Sequence, residues 1–228
     1  MLRDIWITAV IAIVTYFEAA IPVGALVARV LRGKGFHLRR FGTGNIGADN
    51  VAAAVGILPA LFVGLATVFQ GYTPVAVGRL LGLPDIAAIC IGLIAIWRYR
   101  GRAMAISFGT LLPFALYELI WLGIPILVGR VIREFAISLL LVFMVLPLFL
   151  YFRGRSMALV AYAGVVFLYI VYRRMEGVKT DIAGKKGKER RRILLDRLLH
   201  DRRPRRLGDG SPSVRQSTIS KTSPGERS

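Results

Sequence analysis

Long apolar runs constrain the fold of this chain more than any other feature of its sequence. Six runs follow one another, at residues 5–30, 51–69, 86–97, 103–128, 135–152 and 156–172. About 20 apolar residues in a helix span the ~30 Å hydrocarbon core of a bilayer. Hydrophobic residues make up 55% of the 228 residues, and the charges lie mainly between the runs. The sequence therefore predicts an all-α, polytopic membrane helix bundle, in which the first run, 5–30, forms one retained helix.

The basic residues between the runs predict the orientation of this bundle. The chain has a net charge of +18, and short loops rich in Lys and Arg usually stay on the cytoplasmic side. If residues 29–50 and the tail are both cytoplasmic, and residues 70–85 form an outer loop, the number of crossings is odd. A helix pair that is broken near Pro113 supplies the extra crossing. We expect about seven helices, N-out and C-in, with Arg153 and Arg155 left outside.

The chain after Tyr172 is strongly basic, with 17 Lys or Arg against 7 Asp or Glu. An apolar stripe at helical spacing lies within this tail, at Ile193, Leu194, Leu195, Leu198 and Leu199. The pattern is typical of a short amphipathic helix on an anionic inner leaflet, and a solvated tail with a transient helix has the same composition. Beside membrane helices, such charge favours lipid over nucleic acid as the partner. We divide the chain into a membrane domain (1–175), a basic cytoplasmic tail (176–203) and a disordered tail (204–228).

Three side chains with reactive groups lie inside the apolar runs. Cys90 is the only cysteine, which excludes an intrachain disulfide and argues against a cysteine metal site, so we expect a small buried hydrophobe. Glu18 and Glu118 are carboxylates in apolar surroundings, where a charge usually faces a cavity or a partner. Such a carboxyl either pairs with an arginine, stays protonated, or takes part in catalysis.

The segment from Phe41 to Asn50, here called the glycine loop, is the most informative loop of the chain. Its sequence is Phe-Gly-Thr-Gly-Asn-Ile-Gly-Ala-Asp-Asn. Its three glycines allow tight turns that present backbone N–H groups, and a helix begins directly after it. Backbone donors, a helix N-terminus and neighbouring arginines together predict a cradle for an anion. A glycine-rich hinge between two membrane helices shows the same pattern, so both interpretations stay open on spacing alone.

The residues around this loop resemble the bacterial acyl-phosphate:glycerol-3-phosphate acyltransferases of the PlsY type. That family carries Gly-Ser-Ile-Pro-x-Gly followed by Gly-Ser-Gly-Asn-x-Gly-Ala-Thr-Asn, and residues 19–24 and 42–50 hold the corresponding positions here. The resemblance implies a seven-helix inner-membrane enzyme. The enzyme moves an acyl group from acyl phosphate to the 1-hydroxyl of glycerol 3-phosphate, in phospholipid synthesis, without a metal or nucleotide cofactor.

The resemblance also implies the site residues. The expected catalytic residues are Thr43, in the glycine loop, and Arg102, in a second basic turn. The expected substrate-binding residues supply backbone N–H groups, amides or guanidinium groups for phosphate, and they are Gly42, Gly44, Asn45, Gly47, Asn50, Arg39, Arg40, Arg100 and Arg173. Both substrates carry phosphate, so positioning and charge stabilisation are the main demands of the reaction.

The second and third family motifs are altered in this chain. Arg100-Gly101-Arg102 stands where the family has a basic glycine turn, and the histidine before that turn is missing. In the third motif, Phe167, Ile170 and Lys179 replace the family's histidine, asparagine and glutamate, while Arg173, Met175 and Gly177 keep the pattern. Loss of acid–base help lowers a rate by about 10²- to 10⁴-fold. The chain is therefore an active acyltransferase, or an inactive relative that binds lipid or regulates an intact enzyme. A small unrelated transporter is a third hypothesis, which the retained glycine loop disfavours.

Overall fold

The computed structural model describes residues 1–42, 44–131, 135–176 and 178–200, and these ranges contain helices and no strand. The ten α-helices, in chain order from α1 to α10, are Leu2–Glu18, Val23–Arg32, Ala48–Val55, Ile57–Leu80, Asp85–Arg98, Met104–Val131, Phe135–Phe152, Met157–Met175, Val178–Asp181 and Gly187–His200. A 3-10 turn covers Leu38–Arg40. The prediction of an all-α fold is confirmed. Residues 204–228, predicted to be disordered, lie outside the described residues.

The bundle has two ends, which hydrogen bonds between distant residues identify. At one end, here called the loop end, Arg173 of α8 donates to the backbone carbonyl of Gly101 over 2.7 Å. At the other end, here called the far end, Arg3 of α1 donates to the carbonyl of Leu81 over 3.4 Å. Arg79, also at the far end, pairs with Asp85 at 3.5 Å. The N-terminus therefore lies at the far end, and the last turn of α8 lies at the loop end.

Helix α6 bends sharply at Ala115, whose φ of −136° and ψ of 37° are not helical. The guanidinium of Arg174 contacts both the sulfur of Met104, at 3.2 Å, and the carbonyl of Ala136, at 2.8 Å. The first residues of α6 and of α7 therefore share the loop end. Glu118 is bonded to Arg155, which follows α7 at the far end. The chain returns to the loop end between Glu118 and Ala136, as the break predicted near Pro113 requires.

Seven helical segments consequently pass between the two ends: α1, α4, α5, the two halves of α6, α7 and α8. Among the described residues, four stretches are long and apolar enough to cross a membrane by length and composition, at residues 2–32, 57–80, 104–124 and 157–175. Large apolar side chains cover the outside of the bundle, and Trp6, Phe62 and Leu168 are each at least 60% exposed. This surface suits lipid and not water. The prediction of a membrane bundle of about seven helices is confirmed.

Helices α4 and α6 approach each other closely through two glycines. A Cβ on Gly71 would lie 2.2 Å from the carbonyl oxygen of Ile106, and one on Gly109 would lie 2.0 Å from that of Val68. Side chains larger than hydrogen do not fit at either position. Small residues that let helix backbones approach are typical of membrane helix interfaces.

The apolar interior forms two separate clusters. The main core joins α5 to α8 with parts of α1 and α4, and it includes Ile91, Phe143 and Val166. A smaller core holds α2, the glycine loop, α3 and the first half of α4 together, and it includes Ile46 and Val51. The glycine loop is thus carried by a compact unit of its own at the loop end.

Three sequence expectations about the elements are wrong. Residues 70–80 continue helix α4 instead of forming an outer loop, because buried Gln70 bonds the carbonyl of Glu18 and helix α4 accommodates Pro74. The first run, 5–30, is divided between α1 and α2 by a turn at 19–22. Cys90 is exposed on the outer face of α5 and not buried.

Candidate functional site

A cavity of about 520 Å³ opens at the loop end, and its lining is rich in arginine and aromatic side chains. It lies between α1, the 3-10 turn, the end of α5 and the last turn of α8. The lining residues are Tyr16, Arg39, Trp97, Arg98, Tyr99, Arg100, Arg173 and Glu176. The volume lies within the range of small-molecule sites, about 300–1,000 Å³. Four guanidinium groups against one carboxylate make the cavity strongly cationic.

Arg173 is held firmly in this cavity by two neighbours. Its Nε and one terminal nitrogen donate to the carbonyl oxygen of Gly101, at 3.2 and 2.7 Å. Its other terminal nitrogen pairs with the carboxylate of Glu176 at 2.7 Å. A fixed guanidinium fork is suited to phosphate, because it presents several N–H groups in one plane.

The remaining arginines are placed by backbone and ring contacts. Arg39 donates to the carbonyl of Arg100 over 3.5 Å, which joins the 3-10 turn to the basic turn after α5. The guanidinium of Arg98 lies over the ring of Tyr16, 4.7 Å from its centroid. A cation on an aromatic face is stabilised by the ring quadrupole. Three separate parts of the chain therefore bring positive charge to one place.

Tyr99 is a buried phenol in the wall of the cavity. Burial raises the pKa of Tyr99, and the hydrogen bond with Thr67 and the charge of Arg173 lower it by less. The phenol therefore keeps its proton at neutral pH, and it stays a hydrogen-bond donor beside the arginines.

An apolar groove of about 310 Å³ runs from the cavity along α1 and α5. It is lined by Ala12, Ile13, Tyr16, Phe17, Ile94 and Trp97. Tyr16 and Trp97 line both spaces, with ring centroids 6.5 Å apart. The side chains of Ile13, Phe17 and Trp97 are more than half exposed. The groove thus lies open to lipid at one side and reaches the cationic cavity at its end.

The glycine loop has its shape fixed from inside. The side-chain amide nitrogen of Asn50 donates to the carbonyls of Leu38, Phe41 and Asn45, at 3.0, 3.0 and 2.7 Å. Gly42 and Gly44 adopt φ of 53° and 71°, a region that favours glycine. The amide nitrogen of Asn50 therefore fixes the conformation of the loop, because it bonds three backbone carbonyl groups of the protein.

The cavity brings together some of the residues predicted for the site and not others. Arg39, Arg100 and Arg173 line it. The other described members of the predicted set are outside its lining, namely Arg40, Gly42, Gly44, Asn45, Gly47, Asn50 and Arg102. Arg102 is half-buried beside the lining residues of the basic turn. Thr43 lies outside the described residues, so its expected catalytic role stays a prediction.

Sequence reasoning missed five lining residues: Tyr16, Trp97, Arg98, Tyr99 and Glu176. Trp97 and Tyr99 stand where an apolar run meets a basic turn, a position that aromatic residues favour in membrane proteins, whereas Tyr16 lies within the first apolar run. Glu176 stands one helical turn after Arg173, a spacing at which opposite charges meet. It also precedes by three positions Lys179, which replaces the family's glutamate, so the chain has a carboxylate near the expected place.

Comparison with known proteins shows which protein family this chain resembles. The family model described as glycerol-3-phosphate acyltransferase matches residues 9–184. A glycerol-3-phosphate acyltransferase of Parasynechococcus marenigrum is 32% identical over 184 residues, which are 76% of this chain and 85% of that protein. One of Thermus thermophilus is 41% identical over 109 residues, 44% of this chain. That match spans about half, 53%, of the Thermus protein.

A solved structure has the same fold. The crystal structure of PlsY, an integral membrane glycerol 3-phosphate acyltransferase in its glycerol 3-phosphate form, superposes with a TM-score of 0.67. The sequences are 21% identical, and the alignment covers 79% of this chain and 94% of PlsY. Because the family model spans more than half of the 228 residues, the chain belongs to the glycerol-3-phosphate acyltransferase family.

Proposed function

We propose that the chain transfers an acyl group from acyl phosphate to glycerol 3-phosphate, giving lysophosphatidate for phospholipid synthesis. The observation that carries this proposal is the junction at Tyr16 and Trp97, where the cationic cavity meets the apolar groove. An acyl phosphate has an anionic head and a long apolar chain, and this pair of spaces matches both parts. Glycerol 3-phosphate, the second substrate, is an anion that also suits the cavity.

The reaction requires little covalent chemistry from the protein. The 1-hydroxyl oxygen of glycerol 3-phosphate attacks the carbonyl carbon of the acyl phosphate. The bond between that carbon and the phosphate oxygen breaks, and the hydroxyl proton leaves with the released phosphate. Arg39, Arg100 and Arg173, which line the cationic cavity, bind the phosphate groups of the substrates. The phenol of Tyr99 adds a neutral donor, and Thr43 and Arg102 stay our candidates for the catalytic residues.

We place this reaction at the cytoplasmic face of a bacterial inner membrane. The loop end carries the basic turn, the glycine loop and the tail, which agrees with the positive-inside rule. The first half of α10 exposes Lys188, Arg190, Arg191 and Arg192. Each such charge near an anionic leaflet contributes about 1 kcal/mol of attraction. We propose that this surface contacts anionic headgroups.

A direct assay tests the proposed activity. The purified full chain, in lipid nanodiscs, is incubated with palmitoyl phosphate and radiolabelled glycerol 3-phosphate, and lysophosphatidate is measured. We expect product above that of empty nanodiscs, and we expect Thr43→Ala and Arg102→Ala to abolish it. No product under conditions where an intact homologue works would contradict the proposal. Activity that survives both substitutions would contradict our choice of catalytic residues.

One observation favours a second candidate function, lipid binding without turnover. The family's histidine and asparagine positions hold Phe167 and Ile170, which pack with the main core in place of a polar group. The same preparation separates the two functions. An inactive lipid-binding relative is stabilised against thermal unfolding by palmitoyl phosphate and forms no product, whereas the proposed enzyme does both.

A further inference from the structure

Helix α10 lies beyond residues 9–184, the span that the family model matches, and yet it is anchored to the candidate site. Its second half packs Leu198 and Leu199 against the main core, and Ile193 is 9% exposed. Two buried arginines, Arg174 and Arg197, connect it to the end of α8. The tail helix is therefore part of the folded bundle and not only a charged appendage.

Arg174 fastens the C-terminal end of α10. It donates to the backbone carbonyls of Leu198 and Leu199, the latter over 3.3 Å. The same guanidinium contacts Met104 and Ala136, at the first residues of α6 and α7. A cation at a helix C-terminus is stabilised by the unpaired carbonyls and the helix dipole. One residue thus joins four helices directly behind Arg173.

Arg197 reaches from α10 to the lining of the cavity. It donates to the backbone carbonyl of Glu176 over 2.6 Å and pairs with the carboxylate of Asp181. Helix α8 ends at Met175, so the Glu176 carbonyl belongs to the turn after that helix. Glu176 in turn pairs with Arg173 at 2.7 Å. A continuous set of contacts therefore runs from Arg197 through Glu176 to Arg173.

We infer that Arg197 is a positioning residue for the phosphate site: from the tail helix it fixes the Glu176 turn and, through it, the guanidinium of Arg173. Loss of Arg197 frees the Glu176 carbonyl and leaves the Asp181 carboxylate, only 8% exposed, without that partner. Arg173 then loses the fixed orientation that its pair with Glu176 provides. The inference rests on the proposed function, because it takes the cavity to be the phosphate site.

The test compares Arg197→Ala with Lys186→Ala in the full chain. Lys186 is an exposed cationic residue just before the same helix, so its replacement also removes one positive charge without touching the cavity lining. We expect Arg197→Ala to raise the KM for glycerol 3-phosphate about fivefold or more, the size of a typical coupling between sites. The kcat of Arg197→Ala should stay within about twofold of the parent value, and so should the kcat and the KM of Lys186→Ala. Arg197→Lys, which keeps the charge but not the planar fork, should fall between them.

A second measurement keeps this inference separate from the proposed activity. The stabilisation of each protein by inorganic phosphate is followed by thermal unfolding in detergent. A smaller phosphate-induced rise in unfolding temperature for Arg197→Ala than for the parent, each measured from that protein's own unfolding temperature without phosphate, supports the inference even if no turnover is found. An active Arg197→Ala with an unchanged KM and unchanged phosphate stabilisation would overturn the inference and leave the proposed function intact. If the parent protein neither turns over nor binds phosphate, both are wrong.

Discussion

Gly24 shows how one missing methyl group shapes the candidate site. Helix α2 carries it against the glycine loop, where a Cβ would lie 2.0 Å from the carbonyl oxygen of Ile46 and 3.2 Å from Val63. Backbone cannot move away cheaply, so the loop and the helix meet only because the residue is glycine. The Pro-x-Gly pattern of the first family motif has its physical reason in this contact.

Gly24→Ala should therefore disturb the loop. We expect overpacking to lower the free energy of unfolding by about 1–3 kcal/mol and to reduce acyl transfer strongly. Gly164→Ala is the matched control, since Gly164 also lies within a helix but a Cβ there meets nothing within 4 Å. Thermal unfolding in detergent and the transfer assay check both variants. Equal behaviour of the two would show that the loop tolerates the added methyl group.

Sequence reasoning succeeded at some residues and failed at others for identifiable reasons. Arg39, Arg100 and Arg173 were predicted for the site because the motifs and charges mark them locally, and all three line the cavity. Asn50 was predicted to bind substrate, but its amide nitrogen bonds three carbonyls that only the fold brings together. Trp97 was missed because an aromatic residue at the end of a membrane helix has the same local signature with or without a cavity.

At the scale of elements, the bend in α6 decides the topology of the bundle. The sequence indicated a broken segment through its prolines and glycines, and the structure places the bend at Ala115, two residues after Pro113. Glu118, buried just beyond the bend, bonds Arg155 at 2.7 Å, and Arg153 lies 5.2 Å from the ring centroid of Tyr117. Of the interpretations of Glu118 that the sequence left open, pairing with an arginine is the one observed. The Glu118 carboxylate also neutralises Arg155, which explains how this basic residue lies at the far end.

Removing one partner of the Glu118–Arg155 pair should lower the free energy of unfolding more than replacing both partners. Arg155→Ala leaves the buried Glu118 carboxylate uncompensated, and we expect it to lower the free energy of unfolding by about 1–3 kcal/mol, given that Arg155 is partly exposed. The double variant Glu118→Gln with Arg155→Ala should recover part of this loss. Thermal unfolding of the two single variants and the double variant forms the cycle. Additive losses would show that the pair contributes nothing.

The groove between α1 and α5 gives a prediction about acyl chains. Ile13→Trp fills part of the space beyond the junction, so we expect palmitoyl phosphate to lose more activity than a donor with an eight-carbon chain. Leu168→Trp is the control, because Leu168 lies on α8 with its side chain 65% exposed, away from the groove lining. Transfer rates with the two donors are compared for both variants. An unchanged preference in Ile13→Trp would place the acyl chain elsewhere.

At the scale of the whole molecule, the seven segments put the N-terminus and the tail helix at opposite ends. The chain's charge pattern predicted this arrangement, since an odd number of crossings alone keeps the glycine loop and the tail together. The pattern did not predict the separate small core or the docking of α10. Both depend on long-range contacts, such as the hydrogen bond from the Arg174 side chain to the backbone carbonyl of Leu199, which leave no periodic signal in the sequence.

The orientation is open to direct measurement with single cysteines. On a Cys90→Ser background, Leu81→Cys at the far end should react with a membrane-impermeant maleimide in intact cells. The reason is that the far end holds the N-terminus, which we expect outside the cytoplasm. Lys188→Cys on the tail helix should react only after the membrane is permeabilised. Both residues are exposed, so access and not burial controls labelling. The reverse pattern would contradict the proposed orientation.

Tyr16 and Trp97 line both the cationic cavity and the apolar groove, and this junction predicts separate entry routes for the two proposed substrates. Trp97 is 68% exposed on the outer side of α5, so a lipid-like donor can enter sideways from the surrounding bilayer while glycerol 3-phosphate enters from water. The rate of such an enzyme follows the mole fraction of donor in the membrane, a two-dimensional concentration. Diluting palmitoyl phosphate with inert phospholipid at constant bulk amount should then slow transfer, as surface dilution does for enzymes that never release their lipid substrate into solution.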